Sequence, residues 1–163
     1  METQPPQPRA LLVPPAPPAL TRTDILQSAA AHPRTRVLCV DDSPDMADVL
    51  ARLVRAQPDF EVAGTLGSAE GLMDEVARRR VDVVVLDLTM PGPDPISAIR
   101  ALAESTPGCR VIAYSGYDDA ETRAAVRAAG ACELVSKTGD PTDLIRAIRR
   151  AANLPGRPAG GGN

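Results

Sequence analysis

Asp41, Asp42, Asp87, Ser115 and Lys137 are the residues whose types and spacing could carry chemistry in this sequence. Each stands where a short run of mostly apolar residues stops. Arg36-Val37-Leu38-Cys39-Val40 ends at Asp41-Asp42, Val83-Val84-Val85-Leu86 at Asp87, Val111-Ile112-Ala113-Tyr114 at Ser115, and Glu133 to Ser136 at Lys137. Lys137 is the only lysine among 18 lysine and arginine residues. Taken singly, the acids read as helix caps or turn residues and Ser115 as a loop hydroxyl. Gathered in one cleft, three carboxylates repel and need a counter-charge. A hard divalent cation such as magnesium, bound through oxygen, supplies it. With a lysine added, the set suits phosphoryl transfer: cation and ammonium neutralise the equatorial oxygens while one carboxylate attacks phosphorus in line. Asp87, ending the most apolar run, is the best nucleophile, and Ser115 can donate to the attached phosphoryl group. A compact ammonium can pass from a carboxylate to a phosphoryl oxygen with less rearrangement than a planar guanidinium fork.

Such a cleft requires elements that bring residues nearly a hundred positions apart to one place. Apolar runs alternate with helical periods along the chain. Met46, Val49, Leu50, Leu53 and Val54 mark an amphipathic helix after the first run, and Phe60 to Thr65 reads as an edge strand. Leu72, Met73, Val76 and Ala77 mark a second helix, and Ile96, Ile99 and Leu102 a third. An alanine-rich helix spans roughly Asp119 to Ala129, and Leu144, Ile145 and Ile148 lie on the last. Ser43-Pro44, Asp94-Pro95 and Asp140-Pro141 each place a capping side chain before a proline suited to a first helical turn. Alternating strands and helices predict a flavodoxin-like, doubly wound, five-stranded parallel sheet with five helices. In such a sheet all carboxyl ends lie along one edge, and ligands bind there where the strand order reverses.

The ends of the chain differ from this middle. Residues 1–33 hold eight prolines of the chain's 17 and are expected to form an extended, mostly disordered extension, with a short helix from Thr23 to Ala31 as an option. Ala10 to Val13 is too short, and too interrupted by proline, for a signal peptide. No stretch approaches the roughly 18 apolar residues of a membrane span. Residues 34–153 form the expected folded domain and 154–163 a glycine- and proline-containing tail. Net charge is −3, and Arg78-Arg79-Arg80 reads as the end of a solvated helix, so direct nucleic-acid binding is not expected. Cys39, Cys109 and Cys132 have no metal-ligand spacing and leave an odd thiol, which points to a reducing cytoplasm. His32, the single histidine, reads as a surface residue.

The segments VLCVDDSP, VVVLDLTMPG, VIAYSGY and ELVSKTGD together resemble the receiver domain of bacterial two-component response regulators, over about residues 35 to 152. The resemblance implies that Asp87 accepts a phosphoryl group from a sensor histidine kinase, a phosphotransfer protein or a small phosphodonor. It implies magnesium held by Asp41, Asp42, Asp87 and the backbone carbonyl of Thr89, with Ser115 and Lys137 on the phosphoryl group. It further implies a switch with self-catalysed phosphorylation and dephosphorylation more than an enzyme, acting on a downstream protein. The nearest subfamily is the one fused to helix-turn-helix output domains. No output domain follows in the sequence, which gives the expectation of a stand-alone regulator.

Several positions depart from the family pattern. Leu134 stands where the family usually has an aromatic residue that reports the phosphate state. Tyr117 lies where it could shield the phosphate from water, or be a part-exposed loop residue. Pro95 replaces a common glycine, and Thr138 a common proline. Three other readings are open: a phosphate-independent binding module of the same fold, a fragment of a DNA-binding regulator, and a magnesium-dependent phosphatase. The phosphatase ranks last, because Thr89 occupies the position where it requires an acid. The sequence leaves open whether two copies pair through the last helix.

Overall fold

The computed structural model describes residues 34–154. The expected proline-rich extension, the Thr23 to Ala31 helix, His32 and nearly all of the tail lie outside these residues. Five strands and five helices alternate: β1 Thr35–Val40, α1 Pro44–Arg55, β2 Phe60–Leu66, α2 Leu72–Arg79, β3 Val83–Asp87, α3 Pro95–Ser105, β4 Arg110–Ser115, α4 Ala120–Ala129, β5 Glu133–Ser136 and α5 Pro141–Ala152. All pairings are parallel, in the order β2-β1-β3-β4-β5. The order reverses between β1 and β3, so the two most central acidic strand ends are neighbours at the switch point.

Each strand sends alternate side chains to opposite faces, and two apolar layers result. Leu38, Val40, Val84 and Leu86 pack under Leu72 of α2, Ile99 and Leu102 of α3 and Val126 of α4. Val37, Cys39, Val83 and Val85 pack under Leu50 and Val54 of α1 and Leu144 and Ile148 of α5. Every residue of β3 is buried, as a strand covered on both faces requires. Burial pushes the Cys39 and Cys109 thiols up to about 12, and all three cysteines are free of disulfides.

The three proline-led helices start as their sequences predict. Ser43 accepts from the Met46 amide, Asp94 from those of Ile96 and Ser97, and Asp140 from that of Thr142. Two local expectations need correcting. Val49, placed on the apolar stripe of α1, is 47% exposed. The buried face is Ala47, Leu50, Ala51 and Val54, which follows the i, i+3, i+4, i+7 rhythm and leaves Val49 on the flank. The arginine triplet is also not simply solvated. Arg80 takes a left-handed conformation (φ 50°) that ends α2, while Arg79 folds back to pair with Glu75 and to donate to the Ala63 carbonyl at 2.8 Å.

Arg149 of α5 clamps the turn before β2. It donates to Asp59 at 2.7 and 3.0 Å and to Gln57 at 2.7 Å, and its guanidinium lies 5.3 Å from the Phe60 ring centre. The Arg149 hydrogen bond holds the Asp59 carboxyl below its ordinary range. A depressed folded-state pKa contributes stability above the unfolded value, and that contribution disappears as pH falls through the folded value. Arg149→Gln is therefore expected to flatten the acid limb of a stability-versus-pH curve below about pH 4. Thermal melts from pH 7 to 2 measure it, and an unchanged acid limb would count against the clamp.

Candidate functional site

The site forms where β1 and β3 end side by side. Asp41 follows β1, Asp87 is the last residue of β3, and each carboxylate side chain is only 1% exposed. Asp42, one residue on, turns outward. Carboxylate oxygens of Asp41, Asp42 and Asp87 all lie within 4.8 Å of one another. Such crowding needs positive charge, and Lys137 brings it from the residue after β5. Its ammonium stands 2.8 Å from Asp41 Oδ2 and 3.0 Å from Asp87 Oδ2. The strand ladder aims it there: Ser136 is in register with Ser115, and the Lys137 amide donates to the Ser115 carbonyl at 2.8 Å.

Burial alone would lower the Lys137 pKa, but hydrogen bonds and charge from Asp41 and Asp87 outweigh it and hold the ammonium above its ordinary value. Its side chain is 17% exposed and also lies 5.7 Å from the centre of the Tyr114 ring. Burial raises the Tyr114 phenol despite the nearby lysine charge. One ammonium still faces three carboxylates. The donor set is all carboxylate oxygen, which suits a hard divalent cation better than a thiolate- or imidazole-seeking metal.

Asp87 is oriented from the loop beyond it. The Thr89 amide donates to Asp87 Oδ1 at 2.9 Å, and its hydroxyl approaches Oδ1 and Oδ2 at 2.8 and 3.1 Å. This hydroxyl role is not read from the sequence, where Thr89 enters through its backbone carbonyl and as the residue standing where a phosphatase needs an acid. The signal was a side chain with a donor two residues after an acid, a spacing at which turns commonly close. Asp41 likewise accepts from the Ser43 amide at 3.0 Å.

Ser115 is buried at the end of β4, and its Oγ accepts from the Tyr117 amide at 3.0 Å. Thr89, Ser115 and Tyr117 all line a groove of about 510 Å³ that continues along α4. Tyr117 is 68% exposed, so its ring covers little of the site. Leu134 is buried in the layer beneath α4, as an aliphatic core residue. The structure thus brings Asp41, Asp42, Asp87 and Lys137 together and sets Thr89 and Ser115 at the same edge. It leaves Tyr117 outward and Leu134 inward.

Comparison with known proteins covers the same stretch. The family described as response regulator receiver domain matches residues 37–149. A protein-glutamate methylesterase/protein-glutamine glutaminase 2 of Cereibacter sphaeroides is 37% identical over 114 residues, covering 69% of this chain and 31% of the relative. A homologous enzyme of Myxococcus xanthus is 39% identical over 110 residues, 67% of this chain and 31% of its own length. The chain therefore spans about a third of the curated relatives it matches. Among solved structures, the response regulator domain of Thermotoga maritima CheB superposes with a TM-score of 0.69 at 26% identity, over 75% of this chain and 98% of that one. A LuxR-family two-component response regulator from Aurantimonas sp. gives 0.70 at 28%, over 74% and 86%. Among the described residues, no helix is long and apolar enough to cross a membrane.

Proposed function

Because this chain belongs to the response regulator receiver domain family, we propose that it is a switch in which Asp87 accepts a phosphoryl group from the phosphohistidine of a sensor kinase or phosphotransfer protein. The observation that carries this reading is the Lys137 ammonium held between the buried carboxylates of Asp41 and Asp87 at 2.8 and 3.0 Å. A carboxylate oxygen of Asp87 forms the new P–O bond as the donor's P–N bond breaks, and the donor imidazole leaves with the electron pair. The Thr89 amide and hydroxyl hold the Asp87 carboxylate in place. Lys137 exchanges its Asp87 contact for a phosphoryl oxygen while keeping Asp41. Ser115 accepts from the Tyr117 amide through a lone pair, which leaves its O–H to donate to the phosphoryl group. Magnesium, when bound by Asp41, Asp42, Asp87 and the Thr89 carbonyl, supplies the counter-charge that these acids and the incoming oxygens need.

Output runs through protein contacts altered by the acyl phosphate, in a cytoplasmic setting that the three free thiols support. The chain acts as a switch whose only chemistry is on itself. A second reading, a phosphate-independent binding module, draws support from the buried aliphatic Leu134. A radiolabelled small phosphodonor such as acetyl phosphate distinguishes the two. With magnesium the protein is expected to take up label that survives acid and is lost in base, and chelation is expected to prevent uptake. No label at saturating donor and metal would overturn the phosphoacceptor reading.

A further inference from the structure

Arg123, on the first turn of α4, has no part in the chemistry above, yet it joins two separate pieces of chain, the loop before α4 and strand β5. Its Nη2 is paired with the Asp118 carboxylate in the loop between β4 and α4. Its Nη1 donates to the Leu134 carbonyl of β5 at 3.4 Å, a long bond that a small displacement would break. Behind Asp118 the connection continues inward: the Tyr117 amide donates to Ser115 Oγ at 3.0 Å. The hydroxyl that faces the site is therefore linked to β5 through Tyr117, Asp118 and Arg123. The links are one backbone bond, one ion pair and one carbonyl contact.

We propose that Arg123 is a latch through which the state of Ser115 sets the exposure of the β5 edge. The inference rests on the phosphoacceptor reading. When Ser115 turns its hydroxyl to a phosphoryl oxygen on Asp87, its Oγ shifts relative to the Tyr117 amide, and the loop follows its acceptor. Asp118 then carries the guanidinium away from Leu134. The carbonyl of an edge strand is left open, beside a groove of about 310 Å³ to which Asp118, Arg123, Glu133 and Arg150 all contribute. Leu134 itself stays buried in the core, so the outward change is in its backbone oxygen and the arginine above it, with no ring rotation. The Arg123 side chain is half exposed, which leaves it free to swing without opening the core. Arg123 acts here as a positioning residue: it touches neither the acids nor the phosphoryl group.

The test uses the full chain, with beryllium fluoride and magnesium as the phosphoryl mimic and amide NMR shifts as the readout. In the wild type, amides from Leu134 to Ser136 and in the 116–119 loop are expected to shift on addition of the mimic. Arg123→Gln and Asp118→Asn should each reduce the Leu134 to Ser136 shifts at least twofold while the loop shifts persist. The double variant should do no more than either single change, because one ion pair carries the coupling. Acetyl phosphate labelling and thermal midpoints should stay near wild type in all three, which separates a latch from a simple loss of structure. Full-size Leu134 to Ser136 shifts in Arg123→Gln would overturn the latch with the phosphoacceptor reading intact. Failure of the wild type to label would remove that reading and the latch with it.

Discussion

Asp87→Asn is expected to take up no phosphoryl label under any donor or metal concentration, and to be at least as stable as the parent. The two outcomes share one cause. Asparagine keeps the shape of aspartate, and its amide oxygen can still accept from the Thr89 amide and hydroxyl that now hold Oδ1 at 2.9 and 2.8 Å. It has no anionic oxygen to attack phosphorus. It also removes one of three crowded negative charges, while Lys137 retains Asp41 at 2.8 Å. Relief of that repulsion is expected to raise stability by about 1 kcal/mol, on the order of the Coulomb energy of two like charges a few ångströms apart in a water-like medium. Urea denaturation in chelator measures the gain. Magnesium, which stabilises a fold more the more tightly the fold binds it, should raise the thermal midpoint of the variant less than that of the wild type. Residual acid-stable label would mean that another group accepts the phosphoryl, and a destabilised variant would mean that the Lys137–Asp87 pair outweighs the repulsion.

Lys137→Met should have the opposite effect on stability and a comparable effect on function. Asp41 and Asp87 are each only 1% exposed, and the ammonium contacts both. Removing it leaves two buried carboxylates without their cation, which typically costs about 3 kcal/mol or more. Because the Lys137 pKa is raised in the folded state, its contribution is complete below the unfolded lysine value and fades only as pH climbs through the folded one. The wild-type advantage should therefore be undiminished at pH 7. Added magnesium should recover a good part of the lost stability by supplying the missing positive charge, yet labelling should stay far below wild type, since the incoming oxygens lose their mobile point charge. Recovery of full labelling with magnesium alone would show that Lys137 serves the fold and not the transfer.

The fold was legible because its signals are local and repeated. Apolar runs ending at an acid, a hydroxyl or a lysine placed four strands, and Ser43, Asp94 and Asp140 before prolines placed three helix starts; all three cap bonds form. The central site followed from topology, since parallel strands put their carboxyl ends on one edge. Side-chain direction in the loops was the part that did not follow. Nothing in the order Ser115-Gly116-Tyr117 says that the amide of Tyr117 bonds inward while its ring faces solvent. Nor does the alanine-rich pattern of α4 show that Arg123 reaches across to β5, because that contact joins a helix side chain to the backbone of a separate strand. Val49 was misplaced for a related reason: hydrophobicity suggested the stripe, but alanines at positions 47 and 51 allow the closer approach to the sheet.

The bond between Lys137 and Asp41 spans 96 positions of sequence. A ribosome delivers the three acids first and their neutralising lysine only near the end of the domain. Until β5 is added beside β4, the chain that could form β1, β3 and β4 carries unbalanced negative charge where those strands must end together. Completion of the sheet and neutralisation of its acidic edge are thus the same event, with a large loop to be closed before it is rewarded. Nascent chains stopped before Lys137 should accordingly remain open to protease, and addition of Lys137 and of α5, which covers one face of the sheet, should convert them to the resistant form.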